Sequence, residues 1–323
     1  MPDLIEAVSL DDIRSAHERL AGLAIDTPLV PLPTASGDRQ IHLKLENLQP
    51  VGSFKLRPVG NSMLTKSQAA LGAGVHTASS GNSAIAMAWM ARRLGVPATA
   101  VVPDDAPRRK IEELRHLGAR IVALPFEHWW RDIRSGVLPG VGGVYIDAAR
   151  EPAALAGNGT IGLEILQALP DVEAIFTPFG GGALACGIAC ATRALNPKIK
   201  IIACELDSAQ PLTAAMRAGG PIAVAHESGF VTGVGFASIL PELWPLVSAM
   251  IDATVTVSLA EVEHAIRLLA GHNKVIAEGA GAIPVAAAMS ERHPYRKLCA
   301  VVSGGNIDNA VLVRILGGDA PAR

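Results

Sequence analysis

Three segments that read as strands, residues 75–79, 174–178 and 298–302, each pass straight into a short loop rich in glycine or hydroxyl side chains. The loops are Ser79-Ser80-Gly81-Asn82-Ser83, Gly180-Gly181-Gly182-Ala183-Leu184 and Ser303-Gly304-Gly305-Asn306. The first two open segments of helical periodicity. Short buried strands alternating with helices predict a mostly parallel sheet with helices on its faces. Open sheets of that kind bind ligands beyond the carboxyl ends of their strands. One pattern thus predicts both the fold class, α/β, and the place where a site belongs.

The alternation falls into two sets. In the first, strands at 75–79, 98–102, 120–124 and 143–146 alternate with helices at 83–94 and 108–117. In the second, helices at 159–169, 183–195, 260–270 and 281–289 accompany strands at 174–178, 200–205 and 298–302. Ahead of both, Ser9-Leu10-Asp11-Asp12 reads as a capping box for a first helix ending near Gly22. An extended piece at 28–33 and a strand at 41–45 follow. The turn Glu46-Asn47-Leu48-Gln49-Pro50 then leads to a helix over 57–71, with Pro58 in its first turn. Residues 219–240, with five glycines, read as an irregular loop lining a site, and 317–323 as a loose tail. The chain reads as two domains, each an open, twisted, mostly parallel sheet flanked by helices. Residues 74–152 form the small inserted domain, and 1–73 plus 153–323 the large one.

A chain of 323 residues, half of them hydrophobic, can bury ample core. A net charge of −2 offers no basic surface to nucleic acid or to an anionic membrane. No apolar run approaches the roughly 18 residues of a membrane span. Residues 1–20 are acidic and amphipathic, unlike a secretory signal. Cys186, Cys190, Cys204 and Cys299 form no paired motif, as expected for buried, reduced thiols in a cytoplasmic protein. Without an export signal, the glycosylation triplet Asn158-Gly159-Thr160 is treated as chance.

Gly52-Ser53-Phe54-Lys55-Leu56-Arg57 sets a lysine between two apolar side chains. Such surroundings desolvate an amine and lower its pKa, as a carbonyl-attacking lysine requires. The glycine loop at 180–184 presents backbone N–H groups at a helix start, suited to a phosphate. It is neither a Walker A loop nor GxGxxG, so ATP and NAD are poorly supported. The hydroxyls and amides of residues 79–83 suit a carboxylate, with Asn82 able to donate to a phenolate-like oxygen. Ser303 places one hydroxyl at a strand's carboxyl end.

In this order and spacing, the four motifs resemble the fold type II pyridoxal-phosphate enzymes, tryptophan synthase beta-like in fold. Within them the chain is similar to the threonine/serine dehydratase (ammonia-lyase) and serine racemase group, from about residue 5 to 315. The resemblance implies that Lys55 carries pyridoxal 5′-phosphate and is the base at the substrate Cα. It implies that Phe54 and Asn82 border the cofactor ring, with Asn82 bonding its 3′-oxygen. Gly180, Gly181, Gly182, Ala183 and Leu184 would hold the phosphate, and Ser303 the ring nitrogen. Ser79, Ser80, Gly81 and Ser83 would hold the substrate carboxylate, with Ser80 the second acid/base group if racemisation occurs. The expected reaction turns an L-β-hydroxy amino acid into a 2-oxo acid and ammonia. Amino-acid racemisation is the first alternative, and a catalytically silent binding protein on the same fold a remoter one. A homodimer is the expected assembly, and at 323 residues a C-terminal regulatory domain is not expected.

The chain departs from the family pattern at several positions. Ser83 stands where histidine is usual, Ala183 for a fourth glycine, and Pro58-Val59 for Gly-Ala. The family's divalent-cation site would begin at Glu205, but its second carboxylate is replaced by Pro211 and Asp207 is at the wrong spacing. A divalent cation is therefore doubtful. Phe126, His128, Trp129 and Trp130 form an aromatic cluster, read either as packing at a domain edge or as a contact for a bulkier substrate.

Overall fold

The computed structural model describes residues 4–33, 39–106, 108–129, 140–225 and 229–318. Two sheets organise them. The larger has six strands: β1 (Leu29–Pro31), β2 (Gln40–Lys44), β7 (Ala174–Pro178), β8 (Lys200–Leu206), β9 (Ala253–Val257) and β10 (Lys297–Val301). Their spatial order is β1-β2-β10-β7-β8-β9, parallel throughout except for β1. The smaller sheet joins β3 (Val75–Ala78), β4 (Ala98–Pro103), β5 (Arg120–Leu124) and β6 (Val144–Tyr145) in the order β5-β4-β3-β6, all parallel.

Period-two alternation builds the large core. Ala174 and Phe176 of β7 join an apolar cluster with α10 (Leu259–Leu268) and α11 (Gly279–Met289). Ile175, between them, joins the cluster on the other face with α6 (Pro152–Ala168) and α7 (Ala183–Leu195). The small sheet packs on α4 (Asn82–Leu94) and α5 (Arg108–His116). Leu56, Val59 and Met63 of α2 (Leu56–Leu64) belong to that same cluster. The N-terminal helix α1 (Leu10–Leu20) starts with the predicted Ser9–Asp12 capping box.

Several elements differ from the expected ones. The helix foreseen over 57–71 is two helices, because Ser67 caps a new one, α3 (Gln68–Gly72), with its side chain accepting from the Ala70 amide. Helix α6 begins seven residues earlier than expected, with Pro152 in its first turn, where no N–H is needed. Four elements were not foreseen: α8 (Pro211–Ala218), α9 (Trp244–Met250), strand β9 and α12 (Asn309–Gly317). A π-helical turn, Leu269–Asn273, extends α10. Residues 219–225 and 229–240 carry no helix or strand, as expected. No helix among the described residues is long and apolar enough to cross a membrane.

Candidate active site

Strands β7 and β10 are parallel neighbours, so the loops after Pro178 and Val301 emerge side by side. The lysine segment is fastened to the second of these. Ser53 and Gly304 form an antiparallel bridge, the Phe54 amide donates to the Ser303 carbonyl at 2.9 Å, and the Gly305 amide donates to the Gly52 carbonyl at 2.9 Å. Lys55 thereby stands at the start of α2, its amine 4.8 Å from the centroid of the Phe54 ring. No carboxylate or carbonyl bonds that amine among the described residues. Burial lowers its pKa to about 8, opposed by the charges of Asp147 and Glu278.

Beneath it, Arg57 is wholly enclosed. Its guanidinium donates to both oxygens of Glu46, at 2.8 and 2.9 Å, and to both of Glu164. Lys44 also bonds Glu164, so two cations and two carboxylates neutralise one another within the core. Buried charges persist only when paired in this way. The network holds the first turn of α2, and with it Lys55, against β2 and α6.

The glycine loop forms an anion cradle. Gly182 caps α7 with φ +91°, a conformation natural to glycine, and among the described residues no side chain hydrogen-bonds to the helix start as a cap. The first-turn amides, Ala183 and Leu184 among them, therefore lack helical acceptors and carry the positive end of the dipole. At Gly181 a Cβ would meet nothing within 4 Å, whereas at Gly180 it would lie 2.3 Å from the Gly233 carbonyl. Phe236 also approaches Gly180, which brings the irregular stretch against the cradle, where a lining loop was expected.

The loop after β3 supplies the third wall. The Ser79 hydroxyl accepts from the Gly81 amide at 3.1 Å, and the side chains of Ser80 and Ser83 make no hydrogen bond among the described residues. Asn82, the first residue of α4, donates to Glu278 Oε1 at 2.8 Å and accepts from Asn306 Nδ2 at 2.8 Å. Burial pushes the Glu278 carboxyl up to about 7, against the opposing effects of Asn82, Lys110 and Lys55. Sequence reasoning assigned no role to Glu278, Asp147 or Asn306. Asp147 accepts from the amides of Ala149 and Arg150 and from Arg150 Nη1, which fixes its charge toward the lysine. Asn306 was legible within the terminal loop motif, but Glu278 sits in an apolar stretch with nothing to mark it.

Other positions singled out in the sequence take different parts. Glu205 accepts from the amides of Leu212 and Thr213 and from the Thr213 hydroxyl, so both its oxygens cap α8. Asp207 is exposed. The Trp129 indole donates to the Val101 carbonyl of β4 at 3.0 Å, which seats it on the small sheet, with Phe126 5.9 Å away. Trp130 lies outside the described residues. All four cysteines are free and buried, and burial pushes their thiols up. Asn158 is fully buried in α6, out of reach of any glycosylation machinery.

The chain is similar to proteins of known kind along nearly all its length. It is 35% identical over 316 residues to an L-threonine ammonia-lyase of Thermotoga maritima, covering 96% of this chain and 78% of that protein. It is 32% identical to the catabolic L-threonine dehydratase TdcB of Escherichia coli K12, covering 96% of each. The structure of maize serine racemase superposes with a TM-score of 0.87 at 30% identity, covering 95% of this chain and 96% of that one. The model of the pyridoxal-phosphate dependent enzyme family matches residues 20–304. With that match spanning both sheets, the first three motifs and the start of the fourth, the chain belongs to the pyridoxal-phosphate dependent enzymes, in fold type II.

Proposed function

We propose that the chain is an ammonia-lyase that converts an L-β-hydroxy amino acid, serine or threonine by default, to a 2-oxo acid and ammonia. The observation that carries the reading is Lys55, a desolvated amine beside an anion cradle at the carboxyl ends of β7 and β10. The residues fit pyridoxal phosphate. Among the described residues the amine has no salt partner and the buried Ser53 hydroxyl beside Lys55 has no hydrogen-bond partner, while the cradle offers uncapped helix amides with space at Gly181.

In this reading the amides at 180–184 hold the phosphate, Asn82 bonds the ring 3′-oxygen, Phe54 borders the ring and Ser303 bonds its nitrogen. When bound, the cofactor supplies an electron sink for negative charge at the substrate Cα. Lys55 removes the Cα proton, and its depressed pKa suits an amine that must give and take a proton near neutrality. Ser79, Ser80, Gly81 and Ser83 hold the substrate carboxylate, with the free hydroxyls of Ser80 and Ser83 as donors. A hydroxyl partner at the ring nitrogen, unlike a carboxylate, does not favour its protonation, and this favours loss of the β-substituent over aminotransfer. Net loss of water, then hydrolysis of the released enamine, gives the 2-oxo acid and ammonia. The unit at 74–152 closes over the substrate, and the protein works as a cytoplasmic homodimer.

One observation favours racemisation as a second activity: the Ser80 hydroxyl, on the substrate loop, makes no hydrogen bond among the described residues. Incubating the holoenzyme with L-serine, L-threonine and bulkier β-hydroxy amino acids, with assays for 2-oxo acid and for D-serine, decides between them. Release of 2-oxo acid as the main product is expected. D-serine as the dominant product would replace the lyase reading, and turnover of none of them would overturn it.

A further inference from the structure

Two glycines of the sequence motifs exist to let side chains through. At Gly304 a Cβ would lie 2.3 Å from Glu278 Oε1, and at Gly52, with φ +68°, it would lie 2.4 Å from Asn306 Oδ1. The side chains admitted there converge on one group, the amide of Asn82. Backbone bonds hold both anchors in place. The Glu278 amide donates to the Gly304 carbonyl at 3.0 Å, and Asn306 Nδ2 also donates to the Val51 carbonyl at 3.0 Å.

The polarity of this arrangement is fixed by chemistry. The Val51 carbonyl only accepts, so the amide nitrogen of Asn306 faces it and also meets the oxygen of Asn82. That turns the Asn82 nitrogen toward Glu278, whereas the flipped amide would set oxygen against oxygen and nitrogen against nitrogen. An amide has two N–H groups, and Glu278 uses one. Asn82 belongs to the helix that follows β3 of the small sheet, while Glu278 and Asn306 flank the large one.

We propose that Glu278 is a positioning residue that, together with Asn306, sets the amide of Asn82 so that its second N–H is left for the cofactor. The inference rests on the reading above that Asn82 bonds the ring oxygen. It gives a purpose to a buried carboxylate otherwise out of place beside an amine that must stay neutral. It also links the loop after β3, the lysine segment and the terminal loop into one unit, so that the small sheet is registered on the large one at the atom that meets the cofactor.

A double-mutant cycle on the full chain tests it. The variants are Asn82→Ala, Glu278→Ala, Glu278→Gln and the Asn82→Ala/Glu278→Ala pair. For each, the apoprotein is titrated with pyridoxal phosphate, and the dissociation constant and the absorption maximum of the bound cofactor are read. Thermal unfolding of the apoprotein shows which variants fold. Loss of one buried hydrogen bond predicts a dissociation constant raised about tenfold in each alanine variant. The pair is expected to match Asn82→Ala alone, with the same shifted absorption, because Glu278 acts only through Asn82. Glu278→Gln keeps an acceptor and is expected to restore wild-type binding. Additive losses in the pair, or a glutamine variant as impaired as the alanine one, overturn the proposal while leaving the Asn82 assignment intact. Wild-type binding by Asn82→Ala overturns the assignment and the proposal together. If Glu278→Ala does not fold, the same cycle with Asn306→Ala distinguishes these outcomes.

Discussion

Arg57 donates to both carboxylate oxygens of Glu164, a residue 107 positions further along the chain, in a setting where neither side chain is appreciably exposed. This contact joins the first turn of the lysine helix to the middle of α6. It makes the stability of the fold and the placing of Lys55 parts of the same interaction.

Replacing Arg57 by methionine therefore leaves Lys44 as the buried cation beside Glu164, and Glu46 without its own cation, among the described residues. Stranding a buried charge costs about 3–5 kcal/mol. Urea unfolding of the apoprotein is expected to show that loss as a lowered midpoint with an unchanged slope. A loss below about 1 kcal/mol, the range of surface pairs, would mean that water reaches the network.

Lys55 attacks a carbonyl only as the neutral amine, and its pKa is about 8. The rate at which apoprotein takes up pyridoxal phosphate should then rise with pH and level off above about 8, well short of the 10.5 of an ordinary lysine. Uptake followed by absorbance between pH 6 and 10 checks this. A rate still climbing at pH 10 would show that the amine is not desolvated.

Gly180 and Gly181 are adjacent but differ in what they tolerate. A Cβ at Gly180 drives into the Gly233 carbonyl, so Gly180→Ala is expected to lower the unfolding midpoint of the apoprotein. Gly181→Ala meets open space and should leave apoprotein stability within about 0.5 kcal/mol. Its effect should appear in cofactor retention instead. Equal destabilisation by both would remove the distinction between wall and cradle.

Glu205 caps α8, and its side chain is fully occupied there. Glu205→Ala should cost about 1–2 kcal/mol in stability, as the loss of a helix cap does. A divalent cation that stabilised the wild type in thermal unfolding, but not this variant, would reinstate Glu205 as a ligand.

The parts of the fold legible in the sequence are those with one dominant local signal. Strands β3, β7 and β10 are short, largely buried runs, and the loops after them declare themselves by composition. Strand β9, Ala-Thr-Val-Thr-Val, is a half-buried edge strand whose alternation is too mild to separate it from loop. Helix α8 escaped because its cap is Glu205, supplied from a strand six residues earlier rather than from the position next to the helix. The break in the 57–71 helix is a local competition that Ser67 wins by capping. At the candidate site, Lys55, Ser79, Asn82 and Ser303 stand out in the sequence because their neighbours are distinctive. Glu278 was not, because what marks it is a partner 196 positions away.

The last strand in sequence is a central strand in space. β10 enters between β2 and β7, with neighbours on both sides. A growing chain must therefore hold two strand edges apart until residue 301 has emerged, and the lysine loop lacks its partner Gly304 until then. Unpaired edges of this length are sticky, and pairing them across more than 250 residues is slow. The seat for the cofactor is therefore finished only once β10 and Gly304 are in place, so it is among the last parts of the large sheet to form.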